Sequence, residues 1–181
     1  RKKPGPDRRS IEISKVLSDA LEAVVFTEQF PRCSIDIFIE ILQANAGTRC
    51  AALTASSVAL ADAGVPMKDL VVGCAGGKVQ GHIVVDINKE EDNFGEADLP
   101  LGYVPSTGEI VLLQMDGHLT PAEFQQLLDM EIRACQYIYT LQKEALKKKY
   151  NPMVSGEETQ SSSEARKSEE KRSDEIRKED I

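Results

Sequence analysis

The sequence predicts an α+β fold in which strands and helices are mixed along the chain. Short apolar runs rich in valine and isoleucine, which are typical of buried strands, recur between residues 35 and 115. Two longer segments, 8–25 and 121–149, repeat apolar residues with the period of an amphipathic helix. With 181 residues, 41% of them hydrophobic, the chain is long enough to bury a sizeable core.

The first half of the chain predicts helix, strand, turn and helix in that order. Asp7 can cap a helix over residues 8–25, and a buried strand is expected at residues 35–42. A glycine turn at residues 45–47 leads into a helix from Thr48, which Gly64 and Pro66 end. This strand–turn–helix junction is the centre of the predicted site.

The second half predicts an antiparallel meander followed by a long helix. Strands are expected at residues 70–75, 79–87, 97–104 and 109–115, with Gly76-Gly77 as a tight turn and residues 88–95 as a polar turn. Thr120 and Pro121 begin the last helix, because a capping box there is followed by proline at the first helical position. From residue 151 the chain is charged and rich in Ser, Glu and Lys, so a disordered tail is predicted.

The composition limits the classes of function. The net charge of −8 argues against general coating of nucleic acid, so an anionic ligand needs local basic groups. No apolar run of about 18 residues occurs, so no membrane span is predicted. The four cysteines, three of them in apolar surroundings, include no CxxC pair. Buried reduced thiols of an intracellular, cytoplasmic protein are therefore expected rather than metal ligands or disulfides: Cys33, Cys50, Cys74 and Cys135.

The junction at Gly47-Thr48-Arg49 has the chemistry of an anion cradle. Gly47 allows close approach of the backbone to a ligand, and the first N–H groups of a helix lack internal partners. Arg49 adds a planar cationic fork that matches phosphate. The alternative is structural, with Thr48 as a helix cap and Arg49 as a surface residue.

Two further groups of charged residues are candidates. Arg8 and Arg9 lie in the first helical turn, where the helix dipole disfavours cations, so either a functional role or a solvated basic start explains them. Asp86 and Asp92 flank a turn, and Asp98 begins the next strand. Such carboxylates suit Mg²⁺ or proton donation, although acidic loops are also common without either role.

These clusters occur together in a sequence that resembles the ribonuclease PH family, in particular the catalytic subunits of archaeal RNA exosomes. The resemblance covers roughly residues 6–147 and includes PDRRSIEISKVLSDALEAVV, FPRCSIDIFIEILQANAGTRCAALTA, VVDINKEEDNFGEADLP and LLQMDGHLTPAEF. It implies a mixed sheet with helices, related to the second domain of ribosomal protein S-five, over residues 1–150. It also implies phosphate-dependent shortening of single-stranded RNA from the 3′ end, with release of nucleoside diphosphates.

The resemblance also implies roles for individual residues. Asp86 and Asp92 match the catalytic carboxylates, which would act as general acid or hold Mg²⁺. Arg8 and Arg9 match the paired arginines that contact RNA, and inorganic phosphate as co-substrate would be held by Arg9, Gly47, Thr48 and Arg49. The expected partners are an inactive paralogous subunit in a hexameric ring and RNA-binding cap subunits, with no membrane.

Departures from the family pattern leave a second reading open. Family members usually carry Asp where this chain has Asn45, and their domain has additional strands before the paired arginines, so we expect an N-terminally truncated domain. A non-catalytic RNA-binding or scaffold subunit of such a ring is therefore the alternative. A nucleotide-hydrolysing protein is disfavoured, because no GxxxxGK[ST] loop is present.

Overall fold

A computed structural model of the chain describes residues 5–151. The helices are α1 (Arg8–Glu22), α2 (Thr48–Asp62), α3 (Lys89–Phe94) and α4 (Pro121–Tyr150), with a short 3-10 helix at Thr27–Gln29. The strands are β1 (Val72–Val79), β2 (His82–Val85), β3 (Ala97–Val104), β4 (Glu109–Leu113) and β5 (Asp116–Gly117). Residues up to Gln142 form one compact unit, and the predicted disordered tail lies outside the described residues apart from Asn151.

The strands form an antiparallel sheet in the order β2-β1-β3-β4, and the short β5 also pairs with β3. Gly77 of β1 is opposite Asp98 of β3, and Asp98 is in turn opposite Asp116 of β5. This register places two carboxylates next to each other at one end of the sheet. The mixed α+β class predicted from the sequence is confirmed.

Helices pack on both faces of the sheet. Alternate residues of β1 and β3 point to α4, with Val72, Cys74, Leu101 and Tyr103 clustered around the buried Cys135. A second cluster joins α1 and α2 to the opposite face, and its buried members are Leu17, Ala20, Leu21, Val24, Val25, Ala52, Leu53, Leu60, Val71, Val104 and Leu112. Since side chains alternate along a strand, Asp98 lies on the α2 face.

Helix α2 also covers the start of β1, where β2 does not extend, through small polar side chains. Ser57 Oγ accepts from Val71 N at 2.7 Å, Thr54 Oγ1 accepts from Gly73 N at 2.8 Å, and Cys50 Sγ donates to Cys74 O at 3.1 Å. The spacing 50, 54, 57 places these groups on one helical face. Gly73 permits this contact, because a Cβ there would lie 2.5 Å from Cys50 O. The start of α2, and with it Arg49, is thereby held against the sheet.

The predicted strand at residues 35–42 is wrong. The segment runs without a ladder, and no other part of residues 5–151 pairs with it as a strand. The exposure of neighbouring side chains still differs as it would in a strand, since Ile37 is 37% exposed whereas Phe38 is 92% exposed. An apolar alternating segment becomes a strand only where a partner satisfies its backbone hydrogen bonds, and the described residues offer none.

Two predicted turns are also wrong. Gly76 and Gly77 lie inside β1, and the hairpin turn is formed by Gln80 and Gly81, both with positive φ (51° and 77°). Glycine is needed at position 76 for packing, since a Cβ there would lie 2.6 Å from Leu127 Cδ1. The polar segment after β2 forms α3, because Asn88 and Glu91 make a complete capping box.

Both long helices begin where the sequence patterns place them, but α1 ends at Glu22 instead of residue 25 and β4 ends at Leu113 instead of residue 115. Strands β1 and β2 differ in their limits from the predicted ranges 70–75 and 79–87. Asp7 caps α1 by accepting from Ser10 N, and Thr120 and Glu123 form the predicted capping box of α4. The limits of β3 are those predicted. Within residues 5–151, no helix is both long enough and apolar enough to cross a membrane.

Candidate phosphate and carboxylate site

The turn before α2 is held in a strained backbone conformation. Ala46 and Gly47 both adopt left-handed φ angles, 65° and 59°. Gly47 is the N-cap of α2 and supplies no side-chain cap, so the prediction that Thr48 caps the helix is wrong. An uncapped helix start leaves N–H donors available, and Gly47 has no atom within 4 Å of the place where a Cβ would be.

Arg49 lies in the first turn of α2 and reaches two other elements. Its Nη1 donates to Gln114 Oε1, which lies between β4 and β5, and the same nitrogen is 3.5 Å from Glu12 Oε1 on α1. Gln114 Nε2 donates to Glu12 Oε1 at 3.2 Å, so the three side chains form a closed triangle. The Arg49 side chain is 22% exposed, which places its charge at the protein surface but not fully in solvent.

Carboxylates gather beside this arginine. Burial raises the pKa of Asp98, and the neighbouring charges of Asp92 and Asp116 raise it further, whereas Arg49 lowers it. Asp98 is therefore close enough to all three side chains for their charges to act on it. A half-buried carboxyl among like charges is suited to hold a proton or to attract a cation.

Asp86 lies across β1 from Asp98. Its backbone N–H donates to Ala75 O at 2.7 Å, and its φ of 65° is a conformation that Asp adopts more readily than most residues. Its backbone is one strand beyond β1, whereas Asp98 lies on the other side, so roughly 10 Å separates the two chains. The hydrogen bond with Cys135 lowers the pKa of Cys74, and the charge of Asp86 partly opposes this lowering.

Asn45 connects the turn before α2 to α3. Its side-chain Oδ1 accepts from Lys89 N at 3.2 Å, the first residue of the helix that carries Asp92. This contact bridges 44 positions in sequence and joins two of the predicted groups. It gives Asn45 a direct structural role.

Arg8 and Arg9 are exposed in the first turn of α1, as predicted. Glu12 follows Arg8 by four residues and Arg9 by three, so these side chains share one side of the helix. Because Glu12 contacts Arg49, this side of α1 lies next to the start of α2. The three sequence clusters are thus linked: α1 through Glu12, the turn through Arg49, and the carboxylates through Asp98.

Several members of the site had no clear sequence signal. Gln114 is 65 residues from Arg49, and nothing in its local sequence predicts the contact. Asp116 has no local sequence signal, because the two-residue strand that sets it opposite Asp98 is too short to predict. Glu12 had a weak signal in its helical spacing from Arg8.

The carboxylates could supply only one or two of the ligands of a Mg²⁺ ion. Within residues 5–151, no group of three or more His, Cys, Asp or Glu side chains is arranged to hold a metal ion. Mg²⁺ often takes one or two carboxylates and completes its shell with water and substrate phosphate oxygens. The repulsion that raises the pKa of Asp98 is of the kind that a bound cation relieves.

Two family models match most of the chain. Residues 1–66 match domain 1 of the 3′ exoribonuclease family, and residues 69–133 match domain 2 of the same family. The chain therefore belongs to the 3′ exoribonuclease family, the ribonuclease PH group predicted from its motifs. The resemblance found in the sequence is confirmed.

Named relatives narrow the comparison. The chain is 62% identical over 150 residues to "Exosome complex component Rrp41" of Thermoplasma volcanium, covering 83% of this chain and 60% of the relative. It is 61% identical over 150 residues to the protein of the same name from Pyrococcus horikoshii, with the same two coverages. The chain thus spans about 60% of the length of these curated relatives.

A solved structure supports the fold. The crystal structure of rice (Oryza sativa) Rrp46 superposes with a TM-score of 0.74, covering 80% of this chain and 69% of that one. At 18% sequence identity this likeness concerns the fold alone.

Proposed function

We propose that the chain is part of a phosphate-dependent 3′–5′ exoribonuclease that degrades single-stranded RNA to nucleoside diphosphates. Membership of the 3′ exoribonuclease family supports this reaction class. The observation that carries the proposal is the position of Arg49, at the start of a helix and beside the Asp98 carboxylate cluster. Such a site can hold an attacking phosphate on one side and assist a departing oxygen on the other.

In the proposed reaction, an oxygen of inorganic phosphate attacks the last phosphodiester of the RNA. The bond from that phosphorus to the 3′ oxygen of the preceding nucleotide breaks, and the terminal nucleotide leaves as a diphosphate. Gly47, Thr48, Arg49 and Arg9 hold the attacking phosphate, and Arg8 and Arg9 hold the RNA backbone. These cations offset the repulsion between two anions that must meet.

The departing 3′ oxygen requires a proton or an equivalent charge. We assign this task to Asp86 and Asp92, as the family motif implies, with Asp98 beside Asp92 as a further carboxyl whose pKa is raised. Asp92 and Asp86 would also hold Mg²⁺, which supplies charge neutralisation at the phosphate oxygens when it is bound. The protein residues orient the two anions and exclude unproductive geometries.

The proposed setting is a cytoplasmic hexameric ring. The relatives named as exosome components support assembly with other subunits. We propose a paralogous, inactive ring subunit as the neighbour and RNA-binding cap subunits above it. The single-stranded 3′ end would thread to the site from that side.

The test reconstitutes the full-length polypeptide with the paralogous ring subunit of the same organism. RNA labelled at the 5′ or 3′ end is incubated with and without inorganic phosphate, and the products are identified by mass. We expect shortening from the 3′ end only with phosphate, with nucleoside diphosphates as products. Asp86→Ala should abolish turnover while the ring still forms.

Asp129→Ala is the matched control, since Asp129 is an exposed carboxylate on α4 outside the site. It should leave the rate unchanged. Intact RNA in the presence of a formed ring would contradict the proposal and favour the non-catalytic scaffold subunit.

A further inference from the structure

The contacts of Arg49 use only one part of its guanidinium. Gln114 and Glu12 both approach Nη1, and no hydrogen bond or ion pair joins Nε or Nη2 to another side chain within residues 5–151. Nε and Nη2 form the side-on edge of an arginine, which binds two oxygens of a phosphate in parallel. The arrangement therefore occupies one corner of the fork and leaves its phosphate-binding edge open.

The position of Gln114 in the fold fixes its contact with Arg49 Nη1. It lies in the break between β4 and β5, where the backbone N–H of Gln114 donates to Pro100 O at 3.1 Å. Pro100 is opposite Ala75 on β1 and lacks an N–H of its own, so the break on its other side leaves no donor unpaired. The anchored backbone and the half-buried side chain fix the amide oxygen that accepts from Arg49.

Glu12 completes the arrangement from α1. Its Oε1 accepts from Gln114 Nε2 at 3.2 Å, which orients the amide so that its oxygen, not its nitrogen, faces Arg49. The same oxygen is 3.5 Å from Arg49 Nη1. Glu12 is 43% exposed, so its charge is partly screened and offsets only part of the charge of Arg49.

We infer that Gln114 and Glu12 are positioning residues that orient Arg49 so that its Nε–Nη2 edge receives inorganic phosphate. This inference rests on the proposed function and adds two residues to its phosphate site. Gln114 supplies a neutral acceptor, which fixes the fork without cancelling its charge. The pair acts on phosphate binding through Arg49 and does not touch the scissile bond.

The first experiment measures the KM for inorganic phosphate and the kcat of Gln114→Ala in the assembled protein. Loss of the hydrogen bond that Gln114 accepts from Arg49, together with the one it donates to Glu12, should raise this KM about tenfold, with kcat changed less than about twofold. Gln125→Ala is the matched control, because Gln125 also donates its amide to a carboxylate, that of Asp129, but lies away from the site. It should leave both constants unchanged.

Glu12 provides a second variant that is exposed and safe for folding. Glu12→Ala should raise the phosphate KM, whereas Glu12→Gln keeps an acceptor for Gln114 Nε2 and should restore it to the wild-type value or below. If Glu12 only stabilised the fold, Glu12→Ala and Glu12→Gln would not differ in their KM for phosphate. In an Arg49→Lys background, which lacks the fork, Gln114→Ala should add no further effect.

Calorimetric binding of inorganic phosphate gives a readout independent of turnover. Wild-type protein that binds phosphate but does not degrade RNA would refute the proposed function, and the effect of Gln114→Ala on binding would still decide the inference. If Gln114→Ala binds phosphate as tightly as Gln125→Ala, the positioning role is wrong. If the wild-type protein binds no phosphate, both proposals fail.

Discussion

The buried carboxyl of Glu131 on α4 makes the stability of the fold depend on pH. Glu131 is fully buried against β1, and neither of its oxygens makes a hydrogen bond of normal geometry to the described residues. Burial, and then the nearby Cys74 sulfur, raises its pKa from 4.5 to about 9. The side chain is therefore neutral in the folded protein at pH 7, although the same group ionises in the unfolded chain.

Glu131 makes stability fall as pH rises. Because the folded-state pKa is about 9 and the reference value is 4.5, the folded state holds a proton that the unfolded state releases between these values. Glu131→Gln should remove this dependence and raise the free energy of unfolding by up to about 3 kcal/mol at pH 7, with no gain at pH 4.5. Urea unfolding from pH 4.5 to 9 measures it.

Asp129→Asn serves as the control for Glu131→Gln. It removes an exposed carboxylate from the same helix and should leave the pH profile of stability unchanged. A Glu131→Gln variant that keeps the wild-type pH slope would show that Glu131 is ionised in the folded state.

Asn45 lies in the turn before α2 that we propose binds phosphate, at a position where the family resemblance leads us to expect Asp. Its neutral Oδ1 accepts from Lys89 N without adding charge to a helix start that already carries Glu90, Glu91 and Asp92. Asn45→Asp keeps the acceptor but adds a negative charge beside the phosphate turn. It should raise the KM for phosphate several-fold, most at low ionic strength.

Asn45→Ala separates charge from position. It removes the hydrogen bond without adding charge, so it should loosen α3 and lower kcat more than it raises the phosphate KM. Steady-state kinetics of both variants at two salt concentrations measure this split. Identical kinetics for the two variants would contradict a role for the charge at this position.

At the scale of the helices, α2 is positioned by hydrogen bonds as well as by its apolar face. Two neighbouring buried serines in α2 differ in their hydrogen bonding. Ser57 Oγ accepts from the buried Val71 N at 2.7 Å, whereas Ser56 Oγ has no hydrogen-bond partner among the described residues. Burial alone therefore does not show which hydroxyl stabilises the fold.

The two serines give a matched pair for mutation. Ser57→Ala leaves the Val71 N–H buried and unpaired, which should cost about 1–3 kcal/mol of unfolding free energy. Ser56→Ala removes an unpaired buried hydroxyl and should be neutral or stabilising. Equilibrium unfolding of both variants tests this. Equal destabilisation by the two changes would indicate that volume, not hydrogen bonding, decides.

Helices with caps were predictable, whereas contacts across the fold were not. Asp7, Thr120 and Pro121 are local signals, and the helices they begin are where the sequence places them. Gly76 reads locally as a turn residue, but its role is to admit the Leu127 side chain from α4, which no local pattern reveals. The triangle of Glu12, Arg49 and Gln114 likewise depends on tertiary register.

At the scale of the whole molecule, the segment 35–42 is the largest departure from the sequence prediction. Its composition is that of a buried strand, yet Phe38 is 92% exposed and Leu42 is 95% exposed. The segment lies beside α1, where Ile35 and Ile37 line two cavities of about 290 and 490 Å³. The composition of residues 35–42 suits a strand that is paired and buried, but no strand among the described residues pairs with this segment.

The exposed apolar segment should make the 181-residue chain associate with itself. Apolar side chains on a backbone without a strand partner favour pairing with another copy, and the net charge of −8 opposes this only weakly at high salt. Sedimentation velocity at tens of micromolar should therefore show oligomers whose share grows with salt. Phe38→Ser combined with Leu42→Ser should restore a single-chain mass, whereas Phe94→Ser, on the exposed side of α3, should not. A wild-type chain that stays monomeric at high salt would show that this segment folds back onto its own chain.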